Sequence, residues 1–126
     1  MLSTAEPHPE TKMRLIAQAM AIMGYDAVNL GENEFTYPPA VIQTLVESGR
    51  YPVLNANHPP QNMGWKPYTT VTLKNLRIGI IGVGGKPEPP ERFKTETIPP
   101  LKAVQKSIIA LRSEVDLIIL LSQLPY

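Results

Sequence analysis

A layered α/β fold, with a mixed, mostly parallel sheet and flanking helices, is what this chain predicts. Three observations carry that reading. Segments with apolar residues every three or four positions alternate with short apolar runs of strand character. Fourteen prolines, about twice the usual share, gather between those segments, where a residue without an N–H does least harm. The length, 126 residues at 43% hydrophobic, suits one domain with a real core.

Each element has its own signal. From Glu10 to Met23 the residues Met13, Leu15, Ile16, Ala19, Met20 and Met23 recur at helical spacing, and Gly24 stops the helix. Asp26 to Leu30 reads as a short strand. Pro39 to Ser48 is helical through Val41, Ile42, Leu45 and Val46, opens on prolines suited to a first turn, and halts at Gly49. Tyr51 to Ala56 reads as a second strand. Val71 and Leu73 alternate with polar residues before a tight turn at Lys74-Asn75, and the continuous apolar run Ile78 to Val83 reads as the central arm of a hairpin. Gly84 to Thr97 reads as a long exposed loop. Pro100 to Glu114 is helical, with Leu101, Val104, Ile108 and Leu111 on one stripe, and Asp116 to Leu121 has buried-strand character, bounded by Ser122 and Gln123. The chain is read as a single partial domain over 1–126, with 1–9 a flexible tail.

Composition narrows the function classes. Twelve basic and eleven acidic residues leave a net charge of +1 without a basic stripe, so no nucleic-acid partner is expected. No run is long and apolar enough to span a membrane, and Met1 to Thr11 lacks the basic head and apolar run of a secretory leader. The absence of cysteine excludes disulfides and thiolate chemistry within this sequence and fixes no compartment.

The stretch most suggestive of a site is Gly31-Glu32-Asn33-Glu34-Phe35, a glycine turn carrying three polar side chains just past a strand's carboxyl end, where α/β sheets build their sites. Glu32 and Glu34 read as hard-metal ligands or as solvated, loop-capping carboxylates. Asn33 suits a left-handed turn or a substrate contact. His58 is a metal-ligand candidate or an ordinary loop residue before Pro59-Pro60, and His8 belongs to the exposed tail. Trp65 reads as a loop anchor rather than a stacking platform. Gly82-Val83-Gly84-Gly85 lacks the spacing of a phosphate-cradling loop and reads as flexibility after a strand.

Four landmarks in order resemble the calcineurin-like metallophosphoesterase domain of 5′-nucleotidases over roughly residues 10–126. Gly31 to Phe35 resembles that family's Gly-Asn-His-Glu-Phe, Asn55-Ala56-Asn57 its Ser-Ala-Asn, the hairpin to Arg77-Ile78-Gly79-Ile80 follows, and Leu121-Ser122-Gln123 resembles its Leu-Ser-His. The resemblance implies two divalent metal ions, Mn, Mg, Zn or Fe, acting on a phosphate ester or nucleotide. It places Glu32 at a ligand position, Asn33 at the position of the catalytic His, Thr36 where an Asp orients that His, and Gln123 at a ligand His. Asn33 and Gln123 supply neither a proton near neutral pH nor an imidazole nitrogen. The expectation is therefore a divergent portion of such a domain, inactive on its own, with a scaffold or binding module of a larger exported or redox-associated protein as the alternative. Unpaired sheet edges lead to an expectation of a homodimer.

Overall fold

The computed structural model describes residues 8–31, 34–58, 64–85 and 97–124. Among these, three helices each open on a proline: α1 is Pro9–Ile22, α2 Pro39–Ser48 and α3 Pro100–Leu111. A proline there has no N–H to leave unpaired and arrives with helical φ. Pro9 is thus helical rather than part of the tail expected over 1–9, of which 1–7 lie outside the described residues. α1 ends where the glycine signal puts it. Gly24 takes φ 81°, its N–H reaches Ala21 O at 3.1 Å, and Tyr25 N reaches Met20 O at 3.2 Å, the paired bonds of a Schellman cap.

The strands are β1 (Val28–Asn29), β2 (Val53–Leu54), β3 (Tyr68–Leu73), β4 (Leu76–Gly84) and β5 (Leu117–Gln123). β1 and β2 pair in parallel, with Lys66 bridging in parallel beside Leu54, while β3, β4 and β5 form a second sheet, antiparallel across the hairpin and parallel between β4 and β5. Lys74 and Asn75, with φ 47° and 68°, make the two-residue turn with both φ values positive, whose twist suits a hairpin. The mixed, mostly parallel order matches the sequence reading.

Side-chain alternation divides the core into layers. Val28, Leu30 and Val53 pack with α1 and α2 around Met13, Ala17, Phe35, Ile42 and Leu45. Leu54 and Ala27 meet Ile78, Ile80, Val71 and Leu121 between the sheets. Ile81 and Val83 turn the other way, toward Ala103 and Leu111 of α3. The order is helices, sheet, sheet, helix.

β4 carries an asymmetry that shapes everything at its far end. The positions facing the first sheet run Ile78, Ile80, Gly82, Gly84. A Cβ at Gly82 would lie 2.8 Å from Leu54 Cβ, 3.0 Å from Leu54 O and 2.5 Å from Asn29 Oδ1, and one at Gly84 would lie 2.8 Å from Leu30 O. The sheets are held apart by isoleucines at one end and pinched to backbone contact at the other. There Ala56 N donates to Gly82 O at 2.6 Å and Gly82 N to Pro67 O at 3.3 Å. Gly82 and Gly84 are strand residues chosen for close approach, not the flexible segment the sequence suggested; residues 86–96 of the expected loop lie outside the described residues.

Two helical stripes differ from expectation. α3 buries Ala103, Ser107 and Leu111, not Leu101 and Ile108, which are 71% and 36% exposed. The small face lets the helix lie close on the sheet, with Leu111 Cδ1 3.0 Å from where a Cβ of Gly79 would be. α1 likewise turns Met13 and Ala17 inward and leaves Leu15 exposed. Among the described residues β5 is an edge strand with Leu117, Ile119 and Leu120 exposed, so its apolar run is not the mark of a buried strand; the two-residue strands of the first sheet are too short to cover it.

β5 starts in register because Arg77 and Asp116 bracket it. Asp116 N donates to Arg77 O and Arg77 N to Asp116 Oδ2, both at 2.8 Å, with the guanidinium 3.6 Å from Oδ1. The Arg77 N–H, and after it the Arg77 guanidinium, hold the Asp116 carboxyl below its ordinary range. A carboxyl with a lowered folded pKa adds stability above its unfolded pKa and loses it as pH falls through the folded one. NMR titration of Asp116 is expected to show a midpoint below that of a free Asp and to move upward in Arg77→Met. For the pinch, Gly82→Ala is expected to destabilise the fold by about 2 kcal/mol, read as a lower urea midpoint.

Candidate functional site at the strand tips

The carboxyl ends of β1, β2, β4 and β5 converge at the pinched end of the two sheets. Leu30 and Gly31 leave β1 beside Gly84, and a Cβ on Gly31 would overlap the Gln123 carboxamide at the end of β5. The first and last of the landmark segments thus meet. Glu32 and Asn33 lie outside the described residues, and so does the side chain of Thr36.

The loop after Gly31 is closed from within. Gly31 N donates to Glu34 Oε2 at 3.0 Å, Phe35 N to Gly31 O at 3.3 Å and Tyr37 N to Glu34 O at 3.1 Å, forming a 3-10 turn over Glu34–Thr36. Glu34 is 7% exposed. Of the two readings for this carboxylate, loop capping is the one its geometry carries.

Three asparagines stitch the tips together. Asn57 holds β4 with both ends of its amide, Nδ2 donating to Gly84 O at 2.7 Å and Oδ1 accepting from Gly84 N at 3.0 Å. Asn55 donates to Leu30 O at 2.8 Å and accepts from the N–H groups of Asn57 and His58 at 3.1 and 2.9 Å. Asn29 points from β1 into the second sheet, donating to Val83 O at 2.9 Å and Leu121 O at 3.3 Å. Its Oδ1 is buried without a hydrogen-bond partner, turned toward Gly82. Sequence reasoning singled out charged residues and histidine and gave these amides no role of their own. The signal available was an Asn inside or closing an apolar strand, where it needs fixed partners.

His58 is fully buried in this network. Its Nε2 lies 2.8 Å from Gly85 O, so that nitrogen carries the proton, and the 3.3 Å approach of Asn57 Nδ2 is a contact between two donors. The ring packs edge-on against Phe35 at 5.4 Å, Phe35 packs the same way on Trp65 at 5.8 Å, and Trp65 Nε1 donates to His58 O at 2.7 Å. Trp65 is the loop anchor the sequence suggested, and His8, at the head of α1, is exposed.

Beside the tips lies an open cleft of about 420 Å³ lined by Tyr25, Asn29, Glu34, Ser122 and Gln123 among others. Among the described residues no three His, Asp or Glu side chains gather to hold a metal. The described lining offers one carboxylate, Glu34, whose Oε2 accepts from Gly31 N, beside the amides of Asn29 and Gln123 and the hydroxyls of Tyr25 and Ser122, and it holds no imidazole. That described set does not fit a two-metal centre, which needs several carboxylate or imidazole ligands. Asn57→Ala is expected to cost about 3 kcal/mol, because it strands a buried N–H and C=O of Gly84; chemical denaturation measures it.

No protein-family model matches the chain. A stretch of 69 residues, 52% of the chain, is 30% identical to Protein UshA of Salmonella pullorum and covers 12% of that protein. The 5′-nucleotidase precursor of Thermus thermophilus superposes with a TM-score of 0.77 at 25% identity, over 92% of this chain and 25% of that one. The calcineurin-like phosphoesterase YfkN of Bacillus subtilis shares the fold, with a TM-score of 0.72 at 21% identity over 94% of this chain and 39% of that one. In fold the chain is similar to 5′-nucleotidase and calcineurin-like phosphoesterase structures, and it spans only a fraction of those relatives' length.

Proposed function

We propose that this chain is a remodelled portion of a 5′-nucleotidase-type domain that faces a phosphate ester or nucleotide and does not hydrolyse it by the family's two-metal route on its own. The observation that carries the reading is the contact of Gly31 with Gln123, which sets the residue preceding Glu32 and Asn33 against the end of β5 at one rim. The resemblance puts a catalytic His at position 33 and a ligand His at position 123; this sequence has amides at both. Amides donate and accept hydrogen bonds to phosphate and sugar oxygens, but they neither titrate near neutral pH nor offer an imidazole nitrogen. Glu32 supplies oxygen suited to a hard divalent cation. His58, sealed against Phe35 and Gly85, shapes the β2 turn in this reading.

The edge of β5 supports self-association, since among the described residues it offers unpaired backbone groups flanked by exposed Leu117, Ile119 and Leu120. Sedimentation velocity is expected to show a dimer that Leu120→Lys returns to monomer. For the activity, p-nitrophenyl phosphate and nucleoside monophosphates with added Mn²⁺, Mg²⁺ or Zn²⁺ are expected to give no turnover above the metal blank, and elemental analysis less than one metal per chain. Turnover that disappears in Glu32→Ala would overturn the reading.

A further inference from the structure

A second cavity lies on the α3 face, and its chemistry differs from that of the strand tips. It encloses about 300 Å³ between α3 and the approach to β3, a volume at the lower end of small-ligand sites. Its walls are largely apolar, with Ala56, Pro67, Tyr68 and Ile98 facing Ala103 and Ala110 of the helix and Asn55 at one side. The space follows from the small face that α3 turns to the sheet, since side chains of one to two heavy atoms cannot fill the volume beside Tyr68.

Small residues alone would make only a void. Two further observations give this one a polar side. Ser107 lines it at 4% exposure, and its hydroxyl makes no hydrogen bond among the described residues, although a helical hydroxyl usually bonds back to its own helix, as Thr44 does to Ala40 O at 3.0 Å. Lys106 stands at the mouth and is shared with an adjoining groove that runs past Ile98, Lys102 and Ile109. Among the described residues no carboxylate lines either space, and neither Lys102 nor Lys106 forms an ion pair. A hydroxyl open to the cavity and, among the described residues, an ammonium with no carboxylate beside it, both at one end of a largely apolar cavity, suit an anion with an apolar body.

We propose that this cavity binds a small organic carboxylate, a short alkyl or phenyl-sized body seated against Tyr68, Ala103 and Ala110 with the carboxylate between Lys106 and the Ser107 hydroxyl. The proposal is independent of the phosphoesterase reading, and its test reads binding, not hydrolysis. The full chain is titrated with octanoate and with phenylacetate by ¹H–¹⁵N NMR, with octan-1-ol and phenylacetamide as neutral counterparts. The expected result is saturable shifts confined to Ala56, Tyr68, Ile98 and α3, for the anions ahead of the neutral compounds. Lys106→Ala should weaken the anions about fivefold and leave the neutral compounds unchanged. Ala110→Phe, at an exposed helix position, should block both by filling the mouth while the spectrum elsewhere and the unfolding midpoint stay those of the parent chain. Shifts that do not saturate, shifts centred on β5 or the strand tips, equal affinity for charged and neutral compounds, or undiminished binding to folded Ala110→Phe would each overturn it.

Discussion

Two sheets separated by Ile78 and Ile80 at one end can touch at the other only if the intervening side chains vanish. Gly82 and Gly84 meet that condition, and the remaining architecture of the tips depends on it. Because Leu54 and Leu30 approach the β4 backbone directly, Ala56 bonds Gly82 across the gap, and Asn29 and Asn57 reach Val83 and Gly84 with side chains too short for any wider spacing. The convergence of four strand ends, and with it the contact between Gly31 and Gln123, is a consequence of absent atoms.

What holds the converged tips is an amide network in place of charge. Asn55 and Asn57 satisfy the backbone of three strands, and the 3-10 turn is closed by a Glu34 carboxylate spent on its own loop. Such a network is strong because its bonds are buried and mutually orienting. It also fixes the direction in which the chain leaves β1, so that Gly31 stands beside the end of β5.

Much of this was legible in the sequence. The helix boundaries at Gly24 and Gly49, the prolines at helix starts, the Lys74-Asn75 turn and the central character of Ile78 to Val83 are local signals, and local chemistry decides them. The misreadings have a common physical source. Leu101 and Ile108 look like the core face of α3 because hydrophobicity favours the largest apolar side chains, yet the helix docks through Ala103, Ser107 and Leu111, with Ala103 in the cluster of Ile81 and Leu111 against Gly79. Gly82 and Gly84 look flexible because glycine is so in isolation; what fixes them is a neighbour distant in sequence. Periodicity likewise marks β5 as apolar but says nothing of whether anything lies on it. At the candidate site, the order of the landmarks was readable, while the capping role of Glu34 required the position of Gly31 N.

The taper between the sheets also divides the molecule by rigidity. At the narrow end, amide hydrogens of Gly82 and Gly84 are locked by Pro67 O and by Asn57 Oδ1 from another strand's end, whereas at the wide end the Leu73–Leu76 turn is exposed and, among the described residues, held by its own hairpin. Local opening begins where protection is least. Among the described strands the hairpin tip therefore exchanges with deuterium before the narrow end, and the sheet frays toward a kernel made of the same glycines and asparagines that assemble the rim.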